Sequence, residues 1–428
     1  MRPSDPTEGR GPVRYGPPLP EPGLPVLPEL AAVVAAAAGR SHPEPPGGPP
    51  ALLEAARGHW QRRGLAPERA RVTAAPGGAP LLLALTAALG GDVLVPRPCP
   101  AWWTPQTRLL GHDVFSVPTP AECGGVPDPY ALLETVRRVR AEGGDPRLLV
   151  VAPADDPTAT VPPPEVLHEA VEAAVGEGLH VVSDETWRDT LHPGQDTLLF
   201  SPAEMFPAQV TVLTDLTGGY LPPSLPAACA RFPATAEGDR LAARVLDILT
   251  ATGASLSAPV AAAATYVLDE GPEVAARRTT AVALHGRVAT ALHRVVLAAG
   301  GLSRPPRAGR HLYVDLEPLR PRLAARSVTD AQDLEDHLTF RLGLPVPGGH
   351  RFGDDLGALR CRLGTGPLLG STPDERRASL TSPDPLELPH VARALSMVES
   401  VLGELCDLGD RAGPEGTGAA GEGWESER

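Results

Sequence analysis

The stretch HVVSDETW, residues 180–187, decides the fold. Its first four residues predict a short buried strand, and two acidic residues follow where that strand ends. A helical pattern from Pro164 to Gly178 precedes it, and a second apolar strand, Arg147 to Val151, precedes that helix. This strand–helix–strand order is typical of a parallel sheet, and open sheets of this kind bind ligands at the carboxyl ends of their strands.

The same alternation continues on both sides of that stretch. Short apolar runs predict further strands at Val72–Thr73, Val93–Val95, Val114–Val117, Val210–Leu213 and Ala227–Phe232. Helical patterns separate them at Leu81–Leu89, Trp102–Leu110 and Tyr130–Gly143. The sequence therefore predicts an α/β fold whose large domain has a mostly parallel sheet flanked by helices.

The chain divides into four predicted parts. Residues 1–50 form a Pro/Gly-rich arm and a short helix over Glu29–Gly39, and residues 51–290 form the large domain. A helical tract, Pro259–Gly300, leads to a smaller C-terminal α/β domain over residues 291–408. This domain has predicted strands at His311–Leu316 and Leu359–Leu363, and helices at Asp330–Arg341 and Leu388–Leu408. The Gly/Glu-rich tail, 409–428, is predicted to be disordered.

Composition excludes several classes of function. The formal net charge of −14 argues against binding to nucleic acid or to an anionic membrane, since both need clustered basic residues. The N-terminus has no apolar segment typical of a signal peptide, so a cytoplasmic location is expected. Five scattered cysteines without a CxxC pair predict free thiols, and the histidines show no metal-binding spacing.

Three landmarks along the predicted sheet carry chemistry. A glycine-rich turn with Gly77, Gly78 and Ala79 opens a helix, where backbone N–H groups can hold a phosphate. Asp155-Asp156-Pro-Thr follows the strand Arg147–Val151, and Asp184 ends the strand of residues 180–183. The adjacent acids Asp155 and Asp156 favour a solvated turn over a metal or acid–base pair.

In order and spacing these landmarks resemble the class I and II aminotransferases, which are fold-type-I enzymes that use pyridoxal phosphate (PLP). Three more segments agree in order: Gly91–Pro96 with Pro100–Trp102, Leu213–Gly218 with Ala230–Pro233, and Leu359–Leu363. The resemblance covers roughly residues 25–405. It implies a large and a small domain, a homodimer, bound PLP and an amino or keto acid substrate.

Several residues match the family's pattern. The resemblance implies that Asp184 bonds the pyridine nitrogen of the cofactor, where it would keep the ring protonated as an electron sink. Trp102 matches the aromatic that stacks on that ring, and the turn at Gly77–Ala79 matches the phosphate site. Arg362 matches the arginine that grips the substrate carboxylate. A surface arginine on an edge strand is an equal alternative for Arg362, since Arg360 lies two residues away.

Five positions depart from the family, all at contacts with the cofactor. Gly218 stands at the position of the lysine, Asp156 at that of an asparagine, and Trp187 at that of a tyrosine. Pro226 replaces an arginine on the phosphate, and Asp215 replaces a hydroxyl there. Asp156 and Asp215 would repel an anionic cofactor, so poor PLP binding is expected.

The lysine cannot be found elsewhere, because the chain contains none. All 38 basic side chains are arginine. Replacement of Lys by Arg in a GC-rich genome explains why lysine is rare. A guanidinium, however, cannot replace the amine that forms a Schiff base. An ordinary PLP-dependent aminotransferase is therefore excluded.

Two functions stay open from the sequence. The first is a degenerate homologue, a pseudoenzyme, that binds a ligand or a protein partner. The second is an enzyme of amino-acid or secondary metabolism that holds pyridoxal or pyridoxamine phosphate noncovalently. For that second function Thr217 and Tyr220 are the hydroxyls nearest to Gly218 in the sequence.

Overall fold

The computed structural model of the chain describes residues 12–65, 71–194 and 197–405. The first eleven residues of the predicted arm lie outside these ranges, as do Cys406 and the predicted tail, 409–428. Every structural statement below concerns the described residues.

Seven strands form the larger sheet, in the spatial order β1-β7-β6-β5-β4-β2-β3. Their bounds are β1 Val72–Ala75, β2 Asp92–Arg97, β3 Val114–Pro118, β4 Pro146–Val151, β5 His180–Asp184, β6 Val210–Asp215 and β7 Ala228–Arg231. Strands β2 to β6 pair in parallel, and β7 alone runs antiparallel to both of its neighbours. The mostly parallel sheet predicted from the sequence is confirmed.

Helices cover both faces of this sheet. They are α1 Pro28–Ala37, α2 Pro50–Gln61, α3 Gly78–Leu89, α4 Pro105–Leu109, α5 Pro129–Ala141, α6 Pro164–Gly176, α7 Pro202–Met205, α8 Ala236–Ala251 and α9 Ala258–Asp269. Alternate residues of each central strand point to opposite faces, so Leu149 packs in one core and Val150 in the other. Because both faces are covered, the open edge at the carboxyl ends of the strands is where a site can form.

A second, antiparallel sheet lies in the C-terminal part, in the order β10-β9-β8. Its strands are β8 Leu302–Ser303, β9 His311–Asp315 and β10 Arg360–Gly364. Five helices accompany it: α10 Pro272–Ala298, α11 Arg320–Ala324, α12 Ala331–Leu342, α13 Pro373–Thr381 and α14 Pro389–Gly403. These elements share a core of their own. Helix α10 runs through residue 291, so the predicted domain boundary falls inside a helix and stays a prediction.

One predicted helix begins later in the structure than expected, and one helix of the large domain was not predicted. The helix expected over Trp102–Leu110 begins only at Pro105, and both Trp102 and Trp103 lie in the preceding turn. A proline favours the first turn of a helix because its missing N–H is not needed there. Helix α8 was not predicted at all.

The described helices include none long and apolar enough to cross a bilayer. Within the same ranges, no group of three or more His, Cys, Asp and Glu side chains is placed to hold a metal ion. The four described cysteines are free and buried.

The central strand β4 supports a stability test. We expect Leu149→Ala to lower the free energy of unfolding by about 2–5 kcal/mol, because Leu149 is fully buried and the truncation leaves a cavity. Leu109→Ala is the matched control, since Leu109 is 76% exposed and should change stability by less than about 0.5 kcal/mol. Urea unfolding followed by circular dichroism measures both. Equal effects would contradict the assignment of β4 to the core.

Candidate functional site

The site predicted from the sequence lies where strands β5 and β6 end and helix α3 begins. Asp184 is the last residue of β5, Asp215 is the last residue of β6, and Gly78 is the first residue of α3. The structure brings these three residues together through hydrogen bonds. Ala79, the next residue of α3, is half-buried.

The carboxylate of Asp215 occupies the amino end of helix α3. Its Oδ2 accepts a hydrogen bond from the Gly78 backbone N–H at 2.6 Å. Its Oδ1 accepts from the backbone N–H and the hydroxyl of Thr217, at 2.8 and 2.6 Å. The helix end favours an anion, and here a side chain of the protein supplies it.

Little space remains around this carboxylate. A Cβ placed on Gly78 would lie 2.8 Å from Asp215 Oδ2 and 3.0 Å from Cη2 of Trp102. Gly77 has a φ of 110°, which residues with a side chain rarely adopt. A Cβ there would lie 3.6 Å from Cβ of Pro226. Burial raises the pKa of Asp215, although the bonds from Thr217 and Gly78 act in the opposite direction.

Both oxygens of Asp184 already have donors from the protein. Oδ1 accepts from the backbone N–H of Thr186 at 3.0 Å and from its hydroxyl at 2.5 Å, and Oδ2 accepts from Nε1 of Trp103 at 2.9 Å. Burial raises the pKa of Asp184 to about 6, despite these hydrogen bonds. Trp103 was missed from the sequence, where Trp102 was preferred. The adjacent pair of tryptophans was the signal.

Gly218, which the resemblance places at the lysine position, has no room for a side chain in this conformation. A Cβ there would lie 2.4 Å from the methyl carbon of Thr186 and 3.3 Å from its carbonyl oxygen. The two hydroxyls named from the sequence are both engaged: Thr217 donates to Asp215, and Tyr220 donates to Asp189 at 2.6 Å. Neither hydroxyl is free to act in place of a lysine.

Tyr220 belongs to a buried ionic cluster next to the site. Its hydroxyl accepts hydrogen bonds from Arg63 at 3.0 Å and from Arg278 at 2.9 Å. Arg63 also contacts Asp189 and Glu270, each at 2.7 Å. Burial, with Asp189 adding to it, raises the pKa of Tyr220, so its proton stays in place.

Arg362 is buried, so the reading of it as a surface arginine is wrong. It is 7% exposed, and its Nη1 donates to both carboxylate oxygens of Asp156, at 3.1 and 3.2 Å. Asp156 also contacts Nδ1 of His311 at 3.0 Å. Burial alone would raise the pKa of Asp156, but Arg362 and His311 outweigh it and lower that pKa well below the usual range.

The acidic turn before Pro157 is likewise not solvated, contrary to the sequence interpretation. Asp155 is 3% exposed, and its carboxylate accepts hydrogen bonds from the hydroxyl and backbone N–H of Thr158. Burial raises the pKa of Asp155 to about 7, against the effect of these bonds.

A carboxylate from the N-terminal arm completes the site. Glu21 lies 3.4 Å from Nε2 of His311 and 4.0 Å from Nη2 of Arg362, and its Oε2 is buried with no hydrogen-bond partner in the described chain. Burial alone would raise the pKa of Glu21, but His311, Arg362 and Arg310 together lower it to about 2. Sequence reasoning missed Glu21, because no local pattern marks it.

Trp187 packs against His311 and Arg310. The two rings meet edge to face with centroids 5.5 Å apart, and the guanidinium of Arg310 stacks on the indole at 5.2 Å. The indole therefore contacts two cation-capable side chains.

These residues do not fit PLP bound in the family's manner. A phosphate would meet the Asp215 carboxylate at the amino end of α3, and the pyridine nitrogen would compete with Trp103 for Asp184. A second anion at the helix end is repelled by the first. The chain offers no lysine for covalent attachment.

Comparisons with known proteins agree with the fold. Residues 27–210 match the family model for class I and II aminotransferases. The aspartate/prephenate aminotransferase of Thermus thermophilus is 35% identical over 183 residues, which is 41% of this chain and 45% of that protein. The chain thus spans a little under half the length of this curated relative.

Solved structures share the architecture over a longer stretch. An aspartate aminotransferase from Thermus thermophilus with maleate has a TM-score of 0.68 at 22% identity, over 89% of this chain and 90% of that one. An aromatic aminotransferase from Pyrococcus horikoshii has a TM-score of 0.71 at 17% identity, over 91% of this chain and 95% of that one. At these identities the likeness concerns the fold.

The contact of Glu21 predicts a pH dependence of stability. A carboxyl whose pKa falls from 4.5 to about 2 on folding stabilises the fold above pH 4.5 by about 3 kcal/mol, and this contribution is lost as the pH falls towards 2. We expect Glu21→Gln to destabilise the protein at pH 7, and the difference from wild type to shrink as the pH falls below 4.5 and to vanish only below pH 2. Urea unfolding across this range measures it.

Glu29→Gln is the matched control, because Glu29 is an exposed carboxyl next to the same arm. It should leave the pH profile unchanged. A loss from Glu21→Gln that stayed constant across the pH range would show that the carboxylate is not the stabilising group.

Proposed function

We propose that this chain, a divergent member of the class I and II aminotransferase family, binds a ligand or a partner and does not transaminate through a Schiff base. The observation that carries the proposal is the Asp215 carboxylate bonded to Gly78 at the amino end of α3. A protein that used this helix end for a phosphate would keep it free of anions.

Three further features support the same proposal. The chain has no lysine, so no side-chain amine can form a Schiff base with a carbonyl compound. A side chain at Gly218 would overlap Thr186. Arg362, which would grip a substrate carboxylate, is already paired with Asp156. Each group that the family uses for chemistry has a partner within this protein.

The alternative is an enzyme that binds pyridoxal or pyridoxamine phosphate noncovalently and acts on an amino or keto acid. It needs the same helix end for the phosphate and the same arginine for the substrate. It also needs a proton acceptor near Gly218, where Thr217 and Tyr220 are both committed to other carboxylates. The geometry favours the binding function over this alternative.

PLP itself provides the first test. We expect the purified protein to show no absorbance band from bound PLP, and borohydride to attach no pyridoxyl group to the chain by mass spectrometry. The physical reason is the absence of a lysine together with the repulsion between a phosphate and Asp215. Free PLP reduced without protein is the control. Submicromolar PLP affinity with turnover of an amino acid would end the proposal.

Restoration provides a second test, and the structure sets its design. Gly218→Lys alone should fail because of the methyl group of Thr186, so Thr186→Ser is added, which keeps the hydroxyl on Asp184. Asp215→Ser then removes the carboxylate from the phosphate site, and Pro226→Arg adds a positive charge there. A charge-assisted hydrogen bond contributes about 1.5–3 kcal/mol, so we expect PLP affinity to rise by at least tenfold.

The control for restoration is the same set of substitutions with Gly218 unchanged. It should bind PLP more tightly than wild type, yet resist borohydride fixation. If the full set folds, as judged by circular dichroism, and still gains no affinity, the alignment of this chain with the family's cofactor site is wrong.

We further propose that the chain forms a homodimer, as the family relationship and the frequency of closed two-fold assemblies suggest. Sedimentation at micromolar concentration should give about twice the mass of 44.5 kDa. A stable monomer would contradict this expectation and would leave the binding function untouched.

A further inference from the structure

A cavity of about 120 Å³ lies beside Gly218, away from the phosphate cradle. One wall is the face of helix α10 with Arg277, Arg278, Ala281, Val282 and His285. The arm over residues 23–27 forms the opposite wall, and the loop over residues 218–223 closes a third side.

The charge of the cavity is opposite to that of the chain. Arg277, Arg278 and Arg310 line it, and no Asp or Glu is among its lining residues, although the formal net charge of the chain is −14. Burial lowers the pKa of the neighbouring His285 to about 3, so this imidazole stays neutral. Positive charge concentrated along a wall that has no acidic residue among its described lining favours an anionic ligand.

Of the three arginines that line the cavity, Arg310 has the fewest hydrogen-bond partners within the described residues. Its guanidinium rests on the Trp187 ring, its Nε is buried without a hydrogen-bond partner, and its side chain makes no hydrogen bond to any described residue. Burial lowers its pKa, although Glu21 acts in the opposite direction. A guanidinium whose buried Nε has no hydrogen-bond acceptor is costly, and a bound carboxylate would relieve that cost.

Arg277, on the α10 wall, also has a buried nitrogen without a hydrogen-bond partner among the described residues. Its Nη2 donates to the carbonyl oxygen of Pro25 at 2.8 Å, while Nη1 is buried without a partner among the described residues. Arg278 differs, since Glu270 and Tyr220 already contact it. Arg277 and His285, the neighbour of Arg310, are eight residues apart on α10, or about 12 Å.

Between these two cations the lining is apolar. Leu27 and Leu30 contribute from the arm and α1, Val267 from α9, and Val274 and Ala281 from α10. The indole of Trp187 adds a flat surface at the Arg310 end. A ligand that fills this space has an apolar or aromatic body.

We propose that this cavity binds an organic carboxylate with an apolar or aromatic body, and that Arg310 is the anchor of the carboxylate. Arg277 offers a second donor at the far end. The inference rests on the proposed function, because it assigns the ligand class of a protein that works by binding. It concerns a different space from the family's substrate arginine, since Arg362 does not line the cavity and is paired with Asp156.

The test uses 3-phenylpropionate as the probe and titration calorimetry as the measurement, on the full chain without PLP. We expect saturable binding, and at least tenfold weaker binding of the neutral isostere 3-phenylpropanamide, because the amide forgoes a charge-assisted pair of hydrogen bonds. Arg310→Gln should weaken binding of the carboxylate by a similar factor while leaving binding of the amide unchanged.

Two variants locate the ligand. Ala281→Phe fills the cavity from α10 and should abolish binding of both probes. Arg294→Gln and Ala276→Phe are matched controls on exposed positions of the same helix, and they should bind as wild type does. Thermal unfolding verifies that each variant is folded. Arg310→Gln loses the stacking on Trp187 and the attraction to Glu21, so its binding is measured at a temperature at which the variant is fully folded.

The inference is overturned if the amide binds as tightly as the carboxylate, if Arg310→Gln binds as wild type does, or if no binding is detected at millimolar probe. None of these outcomes involves PLP, so they leave the proposed function standing. Conversely, covalent PLP in the wild-type protein would end the proposed function whatever the probe does.

Discussion

The amino end of helix α3 holds a carboxylate from the neighbouring strand, and a continuous chain of hydrogen bonds extends from that contact. Gly78 donates to Asp215, the backbone N–H of Asp215 donates to the hydroxyl of Thr186 at 3.1 Å, and this hydroxyl donates to Asp184. Trp103 closes the chain at the other oxygen of Asp184. Two buried carboxylates are thereby held by fixed donors, as buried polar groups require, and a cofactor would have to break this network to enter.

A second set of charged side chains borders the site. Arg362, His311 and Asp156 form a buried group that strands β9 and β10 place against the large sheet. Glu21 adds a further carboxylate from more than a hundred residues away in the chain. The arm therefore contributes electrostatically to the site, while its neighbouring residues 23–27 line the cavity that α10 bounds.

Much of the fold follows from the sequence, because buried parallel strands separated by amphipathic helices leave a clear apolar rhythm. Helix α8 was not predicted, although Leu241, Val245 and Leu249 recur at helical spacing after the capping residue Thr235. The site was harder to predict. Positions such as Gly218 and Asp215 follow from the resemblance, but the burial of Asp155 and Asp156, the bond from Trp103 and the approach of Glu21 depend on contacts between distant segments. No local pattern encodes such contacts.

The overlap between a side chain at 218 and Thr186 limits the substitutions that these two positions accept. The methyl group of Thr186 occupies the space that a side chain at 218 would need, while its hydroxyl serves both Asp184 and Asp215. A lysine introduced at 218 by a single mutation would clash with the methyl group, and the loss of the whole threonine side chain would remove one hydrogen bond from Asp184 and the acceptor of the Asp215 backbone N–H. The two positions are thus coupled, so each change is unfavourable unless the other is already present. Such mutual dependence makes Gly218 hard to replace by a larger residue through single substitutions.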